Sequence, residues 1–380
     1  MNRVYKFLLV SFLSAFFLAS CSSSDSSKAD KHFNHETVQE ITTVKGKHYI
    51  AIAAPLTGPY SDLGKTLLEG AQLAIEEYNA NPKNKANPVG FILIDDGGIV
   101  IEALERAKIA IAEGVLGVIG HVNSGISIEA SKKYMQAKIP QISPASTHPK
   151  YTERPEFRGY VFRTIGTDRQ IGEAAADLVL GNGKYKKIAV LFNDRPYGVS
   201  VSSEFIRRLA HHKEKEIVFY ETIPVRTHDH SITAKKVAKT AADLVFFVGE
   251  YNDAGYLVKN LKKELPNAQF LSAEGAHNQS FIDIAGSASE GAMILGAPLP
   301  SKAVVKKYKK RFKKNISGYV ATSYNATKIL LEAMQANNFE DTEAIARSVA
   351  SNPVFDLNGD LLDPSFTLYK VSKGVFTVVK

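Results

Sequence analysis

Residues 49–60 read Tyr49-Ile50-Ala51-Ile52-Ala53-Ala54-Pro55-Leu56-Thr57-Gly58-Pro59-Tyr60, and behind them Leu67, Ala71, Ala74, Ile75 and Tyr78 recur three and four positions apart. The run from Tyr49 to Ala54 is apolar on successive positions and offers no polar face. It therefore reads as a strand buried on both sides, as in a parallel sheet. The second set forms one apolar stripe of a helix, opposite Lys65, Glu69 and Glu76. A doubly buried strand feeding an amphipathic helix is the repeating unit of an α/β fold.

Working outward, the same alternation continues. Strand-like runs fall at Phe91 to Ile94, Val115 to Ile119, Ile139 to Ile142, Ile188 to Phe192, Ile217 to Tyr220, Leu244 to Val248 and Ala292 to Leu295. Helical patterns run near 101–113, 126–136, 170–180, 199–212, 254–264 and 319–337. Such repetition predicts doubly wound parallel sheets with right-handed crossovers and helices on both faces. The tail from Phe366 to Val379 alternates around Gly374 and predicts a terminal hairpin. Some ~335 residues follow the N-terminal region, more than one core usually serves, so two lobes are expected.

Arg3 and Lys6 precede an apolar run from Phe7 to Ala19 that is too short for a lasting membrane span. Residues 1–20 therefore read as an export signal. Its end, Leu18-Ala19-Ser20-Cys21, resembles the lipobox of bacterial lipoproteins, which implies acylation of Cys21 and anchorage to a membrane through that lipid alone. The alternative is an ordinary secretory cleavage site. Residues 21–46 are rich in Ser, Asp, Lys and His and read as a solvated tether. Cys21 is the only cysteine, which excludes an intramolecular disulfide and any Cys-based zinc cage. The formal charge of +8 falls to +6 without Arg3 and Lys6. The surplus clusters from Lys306 to Lys314, where Val305, Tyr308 and Phe312 keep helical spacing. That predicts an amphipathic helix with a solvated lysine face; contact with anionic lipid or a partner is the other reading. No basic-aromatic stripe points to nucleic acid.

In an α/β sheet, ligands bind beyond the carboxyl ends of the strands. Gly64-Lys65-Thr66 imitates a phosphate-binding loop there, but Pro59 stands where that motif needs its first glycine and removes an N–H from the cradle. No GxGxxG follows a strand, and GxSxG and HExxH are absent. His211-His212 and His228-Asp229-His230 lack evident further ligands and read as surface histidines rather than a metal site. Asp95-Asp96 at a strand end read as helix caps or cleft-mouth acids. Neither a catalytic constellation nor a cofactor site emerges. One arrangement does carry chemistry. Gly120 to Gly125 and Ser143 to Thr147 follow neighbouring strands, and they bring hydroxyls and free backbone N–H groups to a helix start. That is a seat for a carboxylate.

The ordered series Ala54-Pro55-Leu56-Thr57-Gly58, Gly70-Ala71-Gln72-Leu73-Ala74, Val118-Ile119-Gly120-His121, Ile142-Ser143-Pro144-Ala145-Ser146-Thr147, Phe162-Arg163-Thr164, Asn193-Asp194-Arg195-Pro196-Tyr197-Gly198, Ala273-Glu274-Gly275 and Ser323-Tyr324-Asn325-Ala326 spans nearly the whole mature length. It resembles the leucine/isoleucine/valine-binding protein family, the type I periplasmic binding proteins of ABC importers. The resemblance implies two lobes, 47–166 plus 298–352 and 167–297 plus 353–380, with crossings near Gly166, Ala297 and Pro353. It implies a small amino acid between them, its carboxylate held by Ser124, the backbone of Ala145 and the hydroxyl of Thr147. Its ammonium is then held from the other lobe by Glu274 and Tyr251, with Tyr197 facing the cleft. Tyr60 and Leu63 fall at the ligand's side chain; Leu63 replaces an aromatic residue common there. Family members often join the positions of Gly98 and Asn123 by a disulfide that this chain cannot make. The resemblance further implies an extracytoplasmic location, an ABC permease as partner, and no enzymatic turnover. The competing reading is a sensing lipoprotein of the same fold that binds an amide, urea-like or other small solute.

Overall fold

The computed structural model describes residues 42–379. Cys21, the signal segment and the tether up to residue 41 lie outside them. The α/β expectation holds: two sheets, each with helices on both faces, make up the described body.

The first sheet contains β1 (Thr43–Val44), β2 (His48–Ala54), β3 (Val89–Asp95), β4 (Val118–Gly120), β5 (Gln141–Ser143) and β6 (Val161–Arg163), in the order β1-β3-β2-β4-β5-β6. All neighbours are parallel except β1, which pairs antiparallel with β3 through Thr43–Ile92 and Val44–Phe91. Thr43 and Val44 thus belong to a sheet edge, although their composition placed them in the tether. The helices α1 (Ser61–Ala80), α2 (Val100–Ala112) and α3 (Ser124–Gln136) are the crossovers. Burial on both faces is literal: Ile50, Ile52 and Ala54 join one core cluster, and Ala51 and Ala53 join another on the opposite side.

The second sheet runs β13-β12-β11-β10-β9-β7-β8. Its strands are β7 (Lys187–Asn193), β8 (Glu216–Ile223), β9 (Leu244–Val248), β10 (Gln269–Ser272), β11 (Met293–Gly296), β12 (Thr367–Ser372) and β13 (Val375–Val378). From β8 to β11 the neighbours are parallel; β12 and β13 form the expected antiparallel hairpin at the edge. Helices α4 (Asp168–Leu180), α5 (Pro196–Leu209), α6 (Ser231–Ala238), α7 (Tyr251–Glu264) and α8 (Gln279–Ala285) cover it. In β9, Val245 and Phe247 face one core while Leu244, Phe246 and Val248 face the other.

After β11 the chain returns to the first lobe. There α9 (Lys302–Phe312) packs Val304 and Tyr308 against Leu73 and Ala74 of α1, and α10 (Val320–Ala336) and α11 (Thr342–Ala350) complete the cover. The lysine-rich helix is present, but its face is partly engaged: Lys307 pairs with Glu77, Arg311 with Glu76 and Lys314 with Glu69, all on α1. Gly64 is also accounted for by packing. It sits in the first turns of α1, where a Cβ would meet the Pro55 carbonyl oxygen at 2.0 Å.

The crossings between lobes are pinned by buried polar groups. Arg163 is fully buried at the end of β6. Its guanidinium donates to Asp360 Oδ1 at 2.5 Å, to the carbonyls of Ser146 (3.0 Å) and His148 (3.2 Å), and to the Thr152 hydroxyl. One side chain thereby joins β6, the loop after β5 and the third crossing. Thr164 Oγ1 donates to the Thr322 carbonyl at 2.8 Å, and the Gly318 N–H to the His277 carbonyl at 2.6 Å.

Candidate functional site

The carboxyl ends of the two sheets face one another. In each sheet the strand order reverses around an early strand, β2 in the first and β7 in the second, which is where open α/β sheets bind ligands. A cavity of about 240 Å³ lies between these ends. It is lined by Leu63, Gly98, Val100, residues 122–126, Ala145 and Tyr319 from one lobe, and by Arg195, Pro196, Tyr197, Glu250, Glu274 and Gly275 from the other.

On the first wall, Ser124 opens α3 behind the N-cap residue Asn123, whose side chain makes no cap bond. Ser124 Oγ accepts the N–H groups of Thr147 (3.3 Å) and His148 (3.4 Å). Its acceptor sites are thereby occupied and its own proton is left to donate. The helix start adds positive potential and unspent N–H groups, so this wall suits an anion. Ala145 lines the cavity, its N–H bonded to Ser143 Oγ at 3.3 Å. Thr147 is fully buried and lies outside the lining. It turns toward the first crossing: its carbonyl accepts the Asp168 N–H at 2.9 Å, and its hydroxyl neighbours the Asp168 carboxyl. The Thr147 N–H thus supports Ser124, while its Oγ1 is buried with no hydrogen-bond partner among the described residues. Burial pushes Asp168 up to about 7.

The opposite wall is acidic. Glu274 follows β10, is 2% exposed, and leaves Oε2 with no hydrogen-bond partner among the described residues. Burial first, then the negative fields of Asp168 and Glu250, push its carboxyl up to about 8, while the Tyr197 hydroxyl works in the other direction. Tyr197 also accepts the Gly275 N–H at 3.4 Å, which fixes ring and acid together. Glu250 is the N-cap residue of α7, and burial raises its pKa as well. Its Oε2 accepts Asn193 Nδ2 at 2.6 Å, and its Oε1 accepts Asn123 Nδ2 at 3.2 Å from across the cleft.

The sequence reading assigned this position to Tyr251, and the structure puts Tyr251 elsewhere. As the first residue of α7 it turns away from the cavity and donates its hydroxyl to the Pro59 carbonyl at 2.8 Å, joining the lobes at the cleft mouth. Leu63 lines the cavity, whereas Tyr60 stands behind the lining, buried, with the guanidinium of Arg195 4.7 Å and that of Arg226 6.0 Å from its ring centroid. Ser280 Oγ donates to Asp62 Oδ2 at 2.6 Å. With Asn123–Glu250 and Tyr251–Pro59, these contacts make the structure a closed form.

Glu250 and Arg195 are the charged cavity residues that sequence reasoning did not assign. Arg195 stood inside the quoted Asn193-to-Gly198 stretch and Glu250 beside Tyr251, but nothing in the spacing told which neighbour faces the cleft.

The remaining candidates are structural. Asp95 Oδ1 accepts the N–H groups of Leu56, Thr57 and Gly97, and Asp96 holds His121 Nδ1 at 2.7 Å, with Tyr134 of α3 beyond it at 3.2 Å; Asp96, His121 and Tyr134 are buried. His228 stacks on Tyr256, and His212 pairs with Glu214. Gly98 lies beside Asn123, where a Cβ on Gly98 would come 3.9 Å from Asn123 Oδ1.

Comparison with known proteins fits this geometry. Residues 47–367 match the model of a family described as periplasmic binding protein. Leu/Ile/Val-binding protein homolog 1 of Brucella suis biovar 1 (strain 1330) is 30% identical over 340 residues, covering 86% of this chain and 90% of that protein. The leucine-, isoleucine-, valine-, threonine-, and alanine-binding protein of Pseudomonas aeruginosa is 29% identical over 343 residues, covering 85% and 90%. Among solved structures, a leucine-binding protein from Thermotoga maritima superposes with a TM-score of 0.79 at 26% identity, covering 88% of this chain and 98% of that one.

Proposed function

Because the chain belongs to the periplasmic binding protein family, in its type I branch with the Leu/Ile/Val-binding proteins, we propose that it is the extracytoplasmic substrate-binding subunit of an ABC importer and closes on an amino acid. Proteins of this family bind solutes and do not transform them; the chain is not an enzyme.

The observation that carries the proposal is the polarity of the cavity. One wall offers the Ser124 hydroxyl and the start of α3; the other holds Glu274, whose Oε2 has no hydrogen-bond partner among the described residues, beside Tyr197. A zwitterion bound between them brings an anion to the first wall and an ammonium to the second. Ser124 and the first N–H groups of α3 then receive the carboxylate, the Ala145 N–H joining them by exchanging its long bond to Ser143 Oγ; the Thr147 N–H orients Ser124, and Glu274 with Tyr197 receives the ammonium. Closure is favourable when both poles are filled, because a buried carboxyl without a partner is costly. The closed form is the signal to a permease, one of the known uses of hinge closure. Cys21 in its lipobox-like setting attaches the protein to a membrane.

A thermal-shift screen of the mature protein against all amino acids, amides, urea and aromatic carboxylates tests this reading. A ligand at 100 times its Kd adds about 2.7 kcal/mol of stability, so at least one amino acid is expected to raise the melting temperature by several degrees. A response to none of them, with a response to another solute, overturns it. Palmitate labelling that persists in Cys21→Ser overturns the anchor.

A further inference from the structure

We propose that Glu250, acting with Arg195, selects an amino acid whose side chain is neutral and carries both a hydrogen-bond donor and an acceptor, a carboxamide above all, in preference to a branched aliphatic one. This rests on the amino-acid reading above.

The cavity has more polar equipment than a zwitterion uses. Beyond Ser124 and Glu274, it is lined by the carboxylate of Glu250, the amide of Asn123 and the guanidinium of Arg195. Glu250 is 5% exposed. Each of its oxygens accepts one side-chain amide N–H, from Asn193 at 2.6 Å and from Asn123 at 3.2 Å, and a carboxylate oxygen can accept a second donor. Asn123 spends its NH₂ on Glu250, and its Oδ1 is buried without a partner among the described residues. The Arg195 guanidinium rests on the Tyr60 ring within the electrostatic reach of Glu250. This part of the cavity therefore holds acceptors on Glu250 and Asn123, donors on Arg195, and opposite charges that offset one another.

Charge decides among side chains. A cationic one is attracted by Glu250 and repelled by Arg195; an anionic one meets the reverse. A branched aliphatic side chain covers these groups, leaves Asn123 Oδ1 buried without a partner and offers nothing to Glu250 or Arg195. A carboxamide answers both, its NH₂ toward Glu250 and Asn123 Oδ1 and its C=O toward Arg195. Leu63, Val100, Val122 and Ile126 line the same cavity and suit a short methylene stem. At about 240 Å³ the space lies below the roughly 300–1,000 Å³ of sites for drug-sized ligands. A side chain of a few heavy atoms fits.

The test is isothermal titration calorimetry of the mature protein with L-glutamine, L-asparagine, L-leucine and L-isoleucine, repeated on Glu250→Leu and on the isosteric Glu250→Gln. Glutamine or asparagine is expected to bind at least about tenfold more tightly than leucine, since a site built to hydrogen-bond a group rejects the analogue lacking it. In Glu250→Leu that preference is expected to shrink at least about tenfold or to reverse. A role confined to supporting α7 weakens all four ligands in proportion and leaves the ratio unchanged, which overturns the proposal. Should Glu250→Leu fail to fold, Glu250→Gln carries the test, with a preference reduced severalfold expected and an unchanged one overturning. Leucine binding as tightly as glutamine in the unmodified protein overturns the selectivity while the amino-acid reading stands. Binding of none of the four, with acetamide or urea bound instead, overturns both.

Discussion

Glu274→Gln separates the ammonium pole from everything else in the cleft. The substitution keeps the shape of the side chain and its neighbourhood with Tyr197 while removing the charge. Truncating one partner of a buried charge pair typically costs about 2–5 kcal/mol. Here the upper part of that range is out of reach. Burial pushes the Glu274 carboxyl from 4.5 to about 8, and at about 1.4 kcal/mol per pKa unit the ligand's ammonium must return some ~5 kcal/mol to keep it ionised on closure. Glutamine escapes that cost as it forgoes the attraction. The net loss expected is therefore roughly 1–3 kcal/mol, or roughly 5- to 150-fold in Kd. Calorimetry with an amino acid and with its deaminated analogue, such as leucine and 4-methylvalerate, gives the readout. The amino acid is expected to bind Glu274→Gln more weakly, and the analogue at least as tightly as it binds the unmodified protein. Equal losses for the two ligands, or no loss for either, refute the reasoning.

The same carboxyl makes closure of the empty protein pH-dependent. Its closed-state pKa, about 8, lies above the ordinary 4.5, so the closed form binds more protons in that window and becomes less favourable as pH rises from about 4.5 to 8. Solution scattering is expected to show the ligand-free radius of gyration growing over that range, and an opposite trend would contradict it. His277 acts on folding. Both of its ring nitrogens lack a partner among the described residues, it stacks on Tyr369 at 4.0 Å, and burial pushes its pKa from 6.5 down to about 3. The unfolded chain takes up the proton first, so this contribution is intact above pH 6.5 and is lost as pH falls toward 3, by about 2–3 kcal/mol at pH 4.5. His277→Phe should flatten the acid limb of the stability curve in urea titrations; an unchanged limb counts against it. Arg163→Leu leaves the Asp360 carboxylate without its partner at a crossing and is expected to cost about 3–5 kcal/mol. An unfolding midpoint shifted by less than the equivalent of ~1 kcal/mol would show that Arg163 does not pin the hinge.

What could be read from the residues follows their physics. The strand from Tyr49 and the helix behind it were legible because five and more apolar positions repeat with one period, and because Ile50 and Ala51 must both find a core. Strands β6 and β10 are three and four residues long, and Gln269 opens the latter, so no periodicity accumulates. Thr43 and Val44 were lost in polar surroundings, because pairing with Phe91 and Ile92 is a tertiary fact. At the site, Ser124, Ala145, Tyr197, Leu63 and Glu274 converge on one cavity. Tyr60, Thr147 and Tyr251 lie outside its lining. Glu250 and Tyr251 are neighbours, and the extended backbone of the N-cap residue (φ −86°, ψ 164°) decides which of them faces the cleft. Thr147 meets Asp168 only because the chain crosses between lobes at that point.

A crystal structure of the mature protein with its bound amino acid tests the central claim most directly. The ligand's α-carboxylate should lie within hydrogen-bonding distance, about 3 Å, of Ser124 Oγ and the first N–H groups of α3, with its ammonium at the same range from Glu274. A ligand bound with those poles exchanged, or seated outside the cavity that Ser124 and Glu274 share, would contradict it.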